Sequence, residues 1–495
     1  MPRRRPSAAV VGLVLATPLL LAPSASAATA AKPYDFNGDG LPELAIGAPR
    51  LAVGTQQVGG VVVLPASTKG LSLDDRVITR NTPGAKGGMT GGSLASADFD
   101  HDGYADLAVG GDPVTILLGS AQGLTGARSY DLGQESDDTE ELRVGDFDGD
   151  GWADLAAGRP RVDGSTQVPG TVRVYRGGAR GFAVARSTVL RGQLEQPDPD
   201  RAFGDSLGVG DLNGDGVADL VVAAPGSEGF DDDDEGFQNP GSVSVCYGGP
   251  AGLAGCTRLV RGFAYAGSGS LEVGNVSGDA RPEIVLAVPY PELVTDPSDV
   301  YQETRTGGAL EILTLAGSGG ATTARVTELT QDSKGVRGTD EFFDGFGGSL
   351  ALGDLDRDGF ADLVVGAPSE DVGTKDAAGR VTVVYGGAKG HRTSGGLIYD
   401  QGTEGVPGKP EKRDGFGASV SLLDHDGDGR LDLAVGAPYE DSTTTGPETR
   451  YPGAVTTLRG SGKSFTTKKS RTFTLKTLGY ADADASDFFG EVLGR

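Results

Sequence analysis

Three histidines, two cysteines, two methionines and one tryptophan are all that 495 residues contain of those types. So few soft ligands exclude a zinc cluster, an iron–sulfur centre or a dense disulfide framework. Basic residues are scarce as well: 43 Lys and Arg stand against 69 Asp and Glu, a net charge of −26. That balance excludes binding of nucleic acid or an anionic membrane through bulk electrostatics. Apolar residues make up 37% and are evenly spread, which excludes wholesale disorder. Glycine, in contrast, is abundant. The 83 glycines are about 17% of the chain against a usual share of roughly 7%, and without a G-X-Y period they exclude collagen.

The chain begins with Arg3, Arg4 and Arg5, then an apolar run from Ala8 to Ala22, then Ala25-Ser26-Ala27. This is the pattern of an export signal with cleavage after Ala27. The run is short for a membrane span and contains Pro18. Residues 1–27 are therefore expected to be a signal peptide. Residues 28–495 are expected to form a secreted, extracellular monomer of one domain with no membrane span.

One segment organises the rest. Asp35-Phe36-Asn37-Gly38-Asp39-Gly40-Leu41-Pro42-Glu43 recurs in copies that start at Asp98, Asp146, Asp211, Asn275, Asp354 and Asp424. Each copy runs into a short apolar stretch such as Leu363-Val364-Val365-Gly366-Ala367-Pro368. Most are preceded by another, such as the segment from Phe203 to Gly210. A variable insert, an alternating strand such as Thr171–Tyr175, a Gly-Gly hairpin and a weaker fourth strand complete each unit. Four short strands per unit with glycine-rich turns read as one antiparallel blade, and repeats of this size read as a β-propeller. The fold class is all-β, with seven four-stranded blades. The first unit lacks its leading strand, and Phe488–Gly494 supplies a stray one. That segment is expected to pair into the first blade and close the ring.

The repeated loops have the chemistry of calcium sites. Calcium takes six to eight oxygens in flexible geometry. Acids at positions 1, 3, 5 and 9, a carbonyl at 7 and a bend glycine at 6 meet that demand. The expected ligands are Asp35, Asn37, Asp39 and Glu43; Asp98, Asp100, Asp102 and Asp106; Asp146, Asp148, Asp150 and Asp154; Asp211, Asn213, Asp215 and Asp219; Asp354, Asp356, Asp358 and Asp362; and Asp424, Asp426, Asp428 and Asp432. The fifth loop, with Asn275, Ser277, Asp279 and Glu283, has two acids and Ala280 for the bend glycine, so weak or no binding is expected there. About six calcium ions result, with a seventh at most. An EF-hand is excluded, because position 12 is apolar in the six well-formed loops: Ile46, Val109, Ala157, Val222, Val365 and Val435. The seven loops hold 24 acids and three arginines, so most of the net negative charge belongs to them.

Phe-Gly is intact at Phe203, Phe346, Phe416 and Phe489, and Gly-Ala-Pro at Gly47, Gly366 and Gly436. Together with the acidic loops and the sevenfold count, these motifs resemble the FG-GAP repeats of the integrin α-chain amino-terminal propeller, over essentially all of residues 28–495. The resemblance implies calcium between strands 1 and 2 on one face and a ligand surface on the other, made partly of loops between strands 2 and 3. The most variable of those connectors are 227–240, 290–307, 369–379 and 439–453, with Tyr290, Tyr301, Tyr439 and Tyr451. They are expected to meet a protein or polysaccharide. Asp231–Glu235 reads as a solvated tip.

Cys246 and Cys256 bracket one hairpin, and a local disulfide is expected in an exported protein. No catalytic residue emerges. Gly204-Asp205-Ser206-Leu207-Gly208 matches the nucleophile pattern G-x-S-x-G, but Ser93, Ser349, Ser419 and Glu491 hold the same repeat position, and no histidine accompanies Ser206. The reading is a binding or adhesion module. The alternative is a polysaccharide lyase or hydrolase on the same scaffold, with tyrosine as the only plentiful base.

Overall fold

The computed structural model describes residues 30–495. Excepted are 54–55, 83–88, 133–140, 161–169, 193–201, 231–235, 264–269, 279–280, 290–292, 296–300, 304–306, 317–321, 441–450, 481–487 and the single positions 75, 80, 127, 180, 183, 226, 240 and 254. The export signal, Asp279, Tyr290 and the 231–235 acidic run lie outside the described residues.

Seven four-stranded antiparallel sheets form a seven-bladed propeller. Blade 4 shows the plan. Ser206–Gly210 pairs with Asp219–Ala224, which pairs with Gly241–Cys246, which pairs with Cys256–Phe263. The second strand of blades 2 to 7 is six residues long and wholly buried. It lies between two neighbours within its sheet and between blades above and below, so a continuous apolar run is selected there rather than an alternating one. The innermost strands touch one another in sequence around the ring.

Closure is made by the two-residue strand Val492–Leu493, which pairs antiparallel with Leu44–Gly47 as the inner edge of blade 1. Phe489 and Leu493 are buried beside Leu44, Ile46 and Phe473. Tyr34 Oη donates to the Arg495 carbonyl at 3.0 Å and accepts from the Arg495 N–H at 2.8 Å.

The Phe-Gly pair precedes the inner strand instead of opening it. Phe203, Phe346, Phe416 and Phe489 are core side chains at 0–1% exposure. The glycine that follows each turns the chain at φ 92–102°. Its carbonyl then meets the Gly-Ala-Pro glycine of the preceding blade. A Cβ on Gly366 would stand 1.9 Å from Gly417 O, and one on Gly436 would stand 1.9 Å from Gly490 O. The two glycines of the repeat signature are thus one backbone contact seen from its two sides, and no other residue fits. Ser349 Oγ donates to Gly417 O at 2.7 Å and Ser419 Oγ to Gly490 O at 2.6 Å. The seventh blade therefore clasps the closing strand as the sixth clasps the seventh.

The central channel is crossed by charge. Arg495 Nη2 donates to Glu141 Oε1 at 3.2 Å and Nη1 to Ser270 Oγ at 3.0 Å. Arg143, on the same strand as Glu141, bridges Glu141 and Glu272, and Arg495 also pairs with Glu272. A cavity of about 140 Å³ remains, where Ser93, Ser270, Ser349 and Ser419 share the lining with Glu141, Arg143 and Arg495. Cys246 and Cys256 are bonded across the outer hairpin of blade 4.

Candidate metal centres

Six of the acidic loops join the first to the second strand of their blade, and loop 1 leads into Leu44–Gly47, the second strand of blade 1, whose first strand is Val492–Leu493. Position-6 glycine turns at φ 80–90° in six of them. Its N–H donates to the position-1 carboxylate at 2.8–3.1 Å in those six. The position-7 N–H donates to the position-5 carboxylate at 2.9–3.1 Å. The sequence thus folds each loop around its own acids before any ligand is considered.

The position-9 acid is the buried anchor. One oxygen accepts from the position-2 N–H, as in Leu355 N to Asp362 Oδ2 at 2.9 Å. The other accepts from a glycine of the outer hairpin. Gly119, Gly177, Gly248, Gly386 and Gly460 donate in this way at 2.7–2.9 Å to Asp106, Asp154, Asp219, Asp362 and Asp432. Sequence reading assigned these acids to metal alone. The signal for their second role was present, because Gly177, Gly248 and Gly386 each open a recurrent Gly-Gly pair. Burial pushes Glu43 up to about 8, Asp106 to about 7, and Asp154, Asp219, Asp362 and Asp432 to about 6. Neighbouring carboxylates add to the rise, and the backbone hydrogen bonds oppose it.

Four loops gather three acids with one carboxylate oxygen each within 4.8 Å of the others. They are Asp98, Asp100 and Asp106; Asp146, Asp148 and Asp154; Asp354, Asp356 and Asp362; and Asp424, Asp426 and Asp432. The position-5 acids Asp102, Asp150, Asp358 and Asp428 stand outside these groups. Loops 1 and 4 are not gathered in this way. There position 3 is asparagine, whose amide donates to a carboxylate: Asn37 Nδ2 to Glu43 Oε1 at 2.6 Å, and Asn213 Nδ2 to Asp215 Oδ2 at 3.0 Å. In loop 5 the Ser277 hydroxyl donates to Glu283, and the Gly278 N–H to Asn275 Oδ1 at 2.6 Å.

The donor set fits a hard cation. Asp35 Oδ1, Asp356 Oδ1 and Asp424 Oδ1 are buried without a hydrogen-bond partner among the described residues. An orphaned anionic oxygen in a cluster of acids is costly unless a cation neutralises it. Oxygen-only ligands with no thiolate or imidazole select calcium or magnesium over transition metals.

Two further features were not read from the sequence. Arginines from the outer half of the same blade reach the loop acids. Arg128 Nη2 lies 3.0 Å from Asp102 and 3.7 Å from Asp100, Arg176 lies 3.5 Å from Asp148, and Arg392 lies 2.6 Å from Asp356 and also pairs with Asp358. Arg459 pairs with Asp426. The loops also interlock. At five of the seven seams the position-7 side chain of one loop covers position 4 of the loop before it. Tyr104 covers Gly38, Val217 covers Gly149, Phe360 covers Gly278 and Leu41 covers Gly427. Trp152 stacks on His101 at 3.8 Å between ring centroids.

The opposite face carries the connectors between strands 2 and 3. Three contain hairpins, Ala52–Val53 with Gln56–Gln57, Ser227–Phe230 with Gly236–Asn239 and Leu293–Thr295 with Tyr301–Glu303. Near the channel mouth lies a cavity of about 570 Å³, walled by Pro289, Pro368 and Pro438 and by Tyr439, Tyr451 and Arg413. Tyr439 is 43% exposed. It meets Tyr451 at 5.8 Å and Phe488 at 5.3 Å, both edge to face.

The FG-GAP repeat family model matches residues 28–64, 140–175, 203–246, 346–384 and 416–458, and an FG-GAP-like repeat model matches 98–157. These stretches leave out blade 5, the one with the divergent loop. The phosphatidylinositol-glycan-specific phospholipase D of Bos taurus is 36% identical over 115 residues, 23% of this chain and 13% of that protein. Integrin alpha-7 of Rattus norvegicus is 35% identical over 152 residues, 30% of this chain and 12% of that protein. The chain thus spans about an eighth of the length of these curated relatives. Among solved structures, the Dos1 propeller aligns over 77% of this chain and 73% of its own, with a TM-score of 0.36 and 8% identity.

Proposed function

The chain being an FG-GAP repeat protein that resembles the integrin α-chain propeller, we propose that it is exported by residues 1–27, holds calcium in six of its loops and binds a protein or polysaccharide on the opposite face. The observation that carries the reading is the division of the ring into two faces. One concentrates acids, with orphaned oxygens at Asp35, Asp356 and Asp424. The other has the long connectors and an aromatic-walled cavity. Calcium would be held by the loop carboxylates and a position-7 carbonyl, with the position-9 acid shared between ion and backbone. It supplies charge neutralisation to a scaffold that otherwise crowds its acids together.

Ligand binding is tested on a glycan array, together with a product-release assay on the same polysaccharides. Binding without product is expected, and it should fall at least roughly tenfold when Tyr439 and Tyr451 are both changed to alanine, a loss of two aromatic anchors. Release of unsaturated or reducing product would instead support the enzyme alternative. Undiminished binding by the double variant would move the site elsewhere.

The metal loops differ in a way that can be measured. Asp362→Ala should abolish most of the contribution of its loop to the calcium-induced rise in melting temperature. Glu283→Ala should leave the calcium-induced rise unchanged, although Glu283 is equally buried. Equal losses of the calcium response in both would refute the distinction between the full and the divergent loop.

A further inference from the structure

The four loops that bring three acids together are the four whose position-3 aspartate is paired with an arginine of the same blade. Asp100 faces Arg128, Asp148 faces Arg176, Asp356 faces Arg392 and Asp426 faces Arg459. The arginines come from two places in the outer hairpin. Arg176 and Arg459 each directly precede the glycine that donates to the position-9 acid, and Arg128 and Arg392 lie across the hairpin from that place, bonded to Leu118 and Tyr385 through the backbone. Two separate places in the repeat thus deliver a guanidinium to the same carboxylate. In loop 6 one oxygen of Asp356 is engaged by Arg392 and the other is buried without a partner. A guanidinium and an oxygen-seeking cation would therefore draw on the same group.

We propose that these arginines set the calcium affinity of their loops by competing, as fixed internal cations, for the position-3 carboxylate. The proposal rests on the metal reading above. Its physical basis is that a monovalent guanidinium partly neutralises the acids. It must then yield an oxygen to the ion or remain nearby and repel it. Either way calcium binds more weakly than the acids alone would allow, while the chain tolerates its crowded carboxylates when calcium is low. At a separation of about 6 Å in a water-like dielectric, a single positive charge opposes a divalent ion by enough to change affinity roughly tenfold.

Loops 2 and 3 share an optical readout. Trp152, the only tryptophan, occupies position 7 of loop 3 and stacks on His101 of loop 2. Terbium bound in these loops would be excited through Trp152, so a direct terbium titration reports their affinity. Arg176→Gln should lower the terbium concentration at half-maximal emission of the loop 3 component by at least roughly tenfold and, in chelator, lower the melting temperature. Arg176→Lys, which keeps the charge, should leave that midpoint near that of the natural chain. A purely structural arginine would instead weaken calcium binding when removed. In loop 6, Arg392→Gln should enlarge the calcium-induced rise in melting temperature. Midpoints unchanged or raised in Arg176→Gln, or an unenlarged rise in Arg392→Gln, would overturn the proposal alone. A natural chain that takes up no calcium by calorimetry would overturn the metal reading and the proposal together.

Discussion

A chain lacking residues 487–495 is expected to melt roughly 10 °C below the intact chain and to lose blade 1 first. The deletion removes the Val492–Leu493 pairing with Ile46 and Gly47, the Ser419 hydrogen bond to Gly490 and the burial of Phe489. Losing a buried phenylalanine alone costs about 3–5 kcal/mol, a large part of a net stability of about 5–15 kcal/mol. Leu44–Gly47 would also be left as an uncovered strand edge, so aggregation on heating is expected beside the lower melt. Phe489→Ala keeps the backbone and should reproduce about half of the fall. An unaltered melt in the truncated chain, by calorimetry or circular dichroism, would mean that the last strand does not hold the ring shut.

Chelation should have a larger effect still. Each calcium site at a hundredfold excess over its Kd adds about 2.7 kcal/mol, so six together rival the whole net stability of an ordinary domain. EDTA should lower the melting temperature by tens of degrees, and calcium should restore it. The pH dependence should change with it. Glu43, raised to about 8, and Asp106, raised to about 7, hold their protons more tightly folded than unfolded. Their contribution to stability is therefore complete below about pH 4, the unfolded carboxylate value, and is lost as pH rises through 7 to 8. In EDTA the ring should weaken from pH 4 to 8. With calcium, which needs the ionised acids, that slope should vanish or reverse. A melt insensitive to both EDTA and pH would remove calcium from the account.

Much of this architecture was legible in the sequence because it repeats. The interval between Asp-x-Asp-x-Asp-Gly segments defined the blade, and the count defined the ring. The orphan Phe-Phe-Gly at residues 488–490 showed where the ring closes. What stayed hidden depends on contacts between repeats, which no single unit encodes. Phe-Gly reads as the start of a strand, yet its glycine is a turn whose carbonyl presses on Gly-Ala-Pro of the neighbouring blade. Arg176 and Arg459 share one place in their units and Arg128 and Arg392 another across the hairpin, so alignment of the repeats brings them together only in pairs. Only the fold shows that they point to one carboxylate position. Asn37 and Asn213 looked interchangeable with aspartate as oxygen donors. Their amide nitrogens, however, face neighbouring acids, and those loops do not gather three carboxylates as the all-aspartate ones do.

The interlocking of the loops limits how such a protein can be rearranged. Phe360 fits because the residue it covers is Gly278, Trp152 because the residue it covers is His101. A blade moved to another place in the ring, or copied in tandem, would bring its position-7 side chain onto a partner it was not matched to. Phe360 over His101 would replace a snug cover with an imidazole in the way. The blade is the unit that the eye counts. The unit that recombination could exchange without repair is the seam between two blades, with half of each loop on either side.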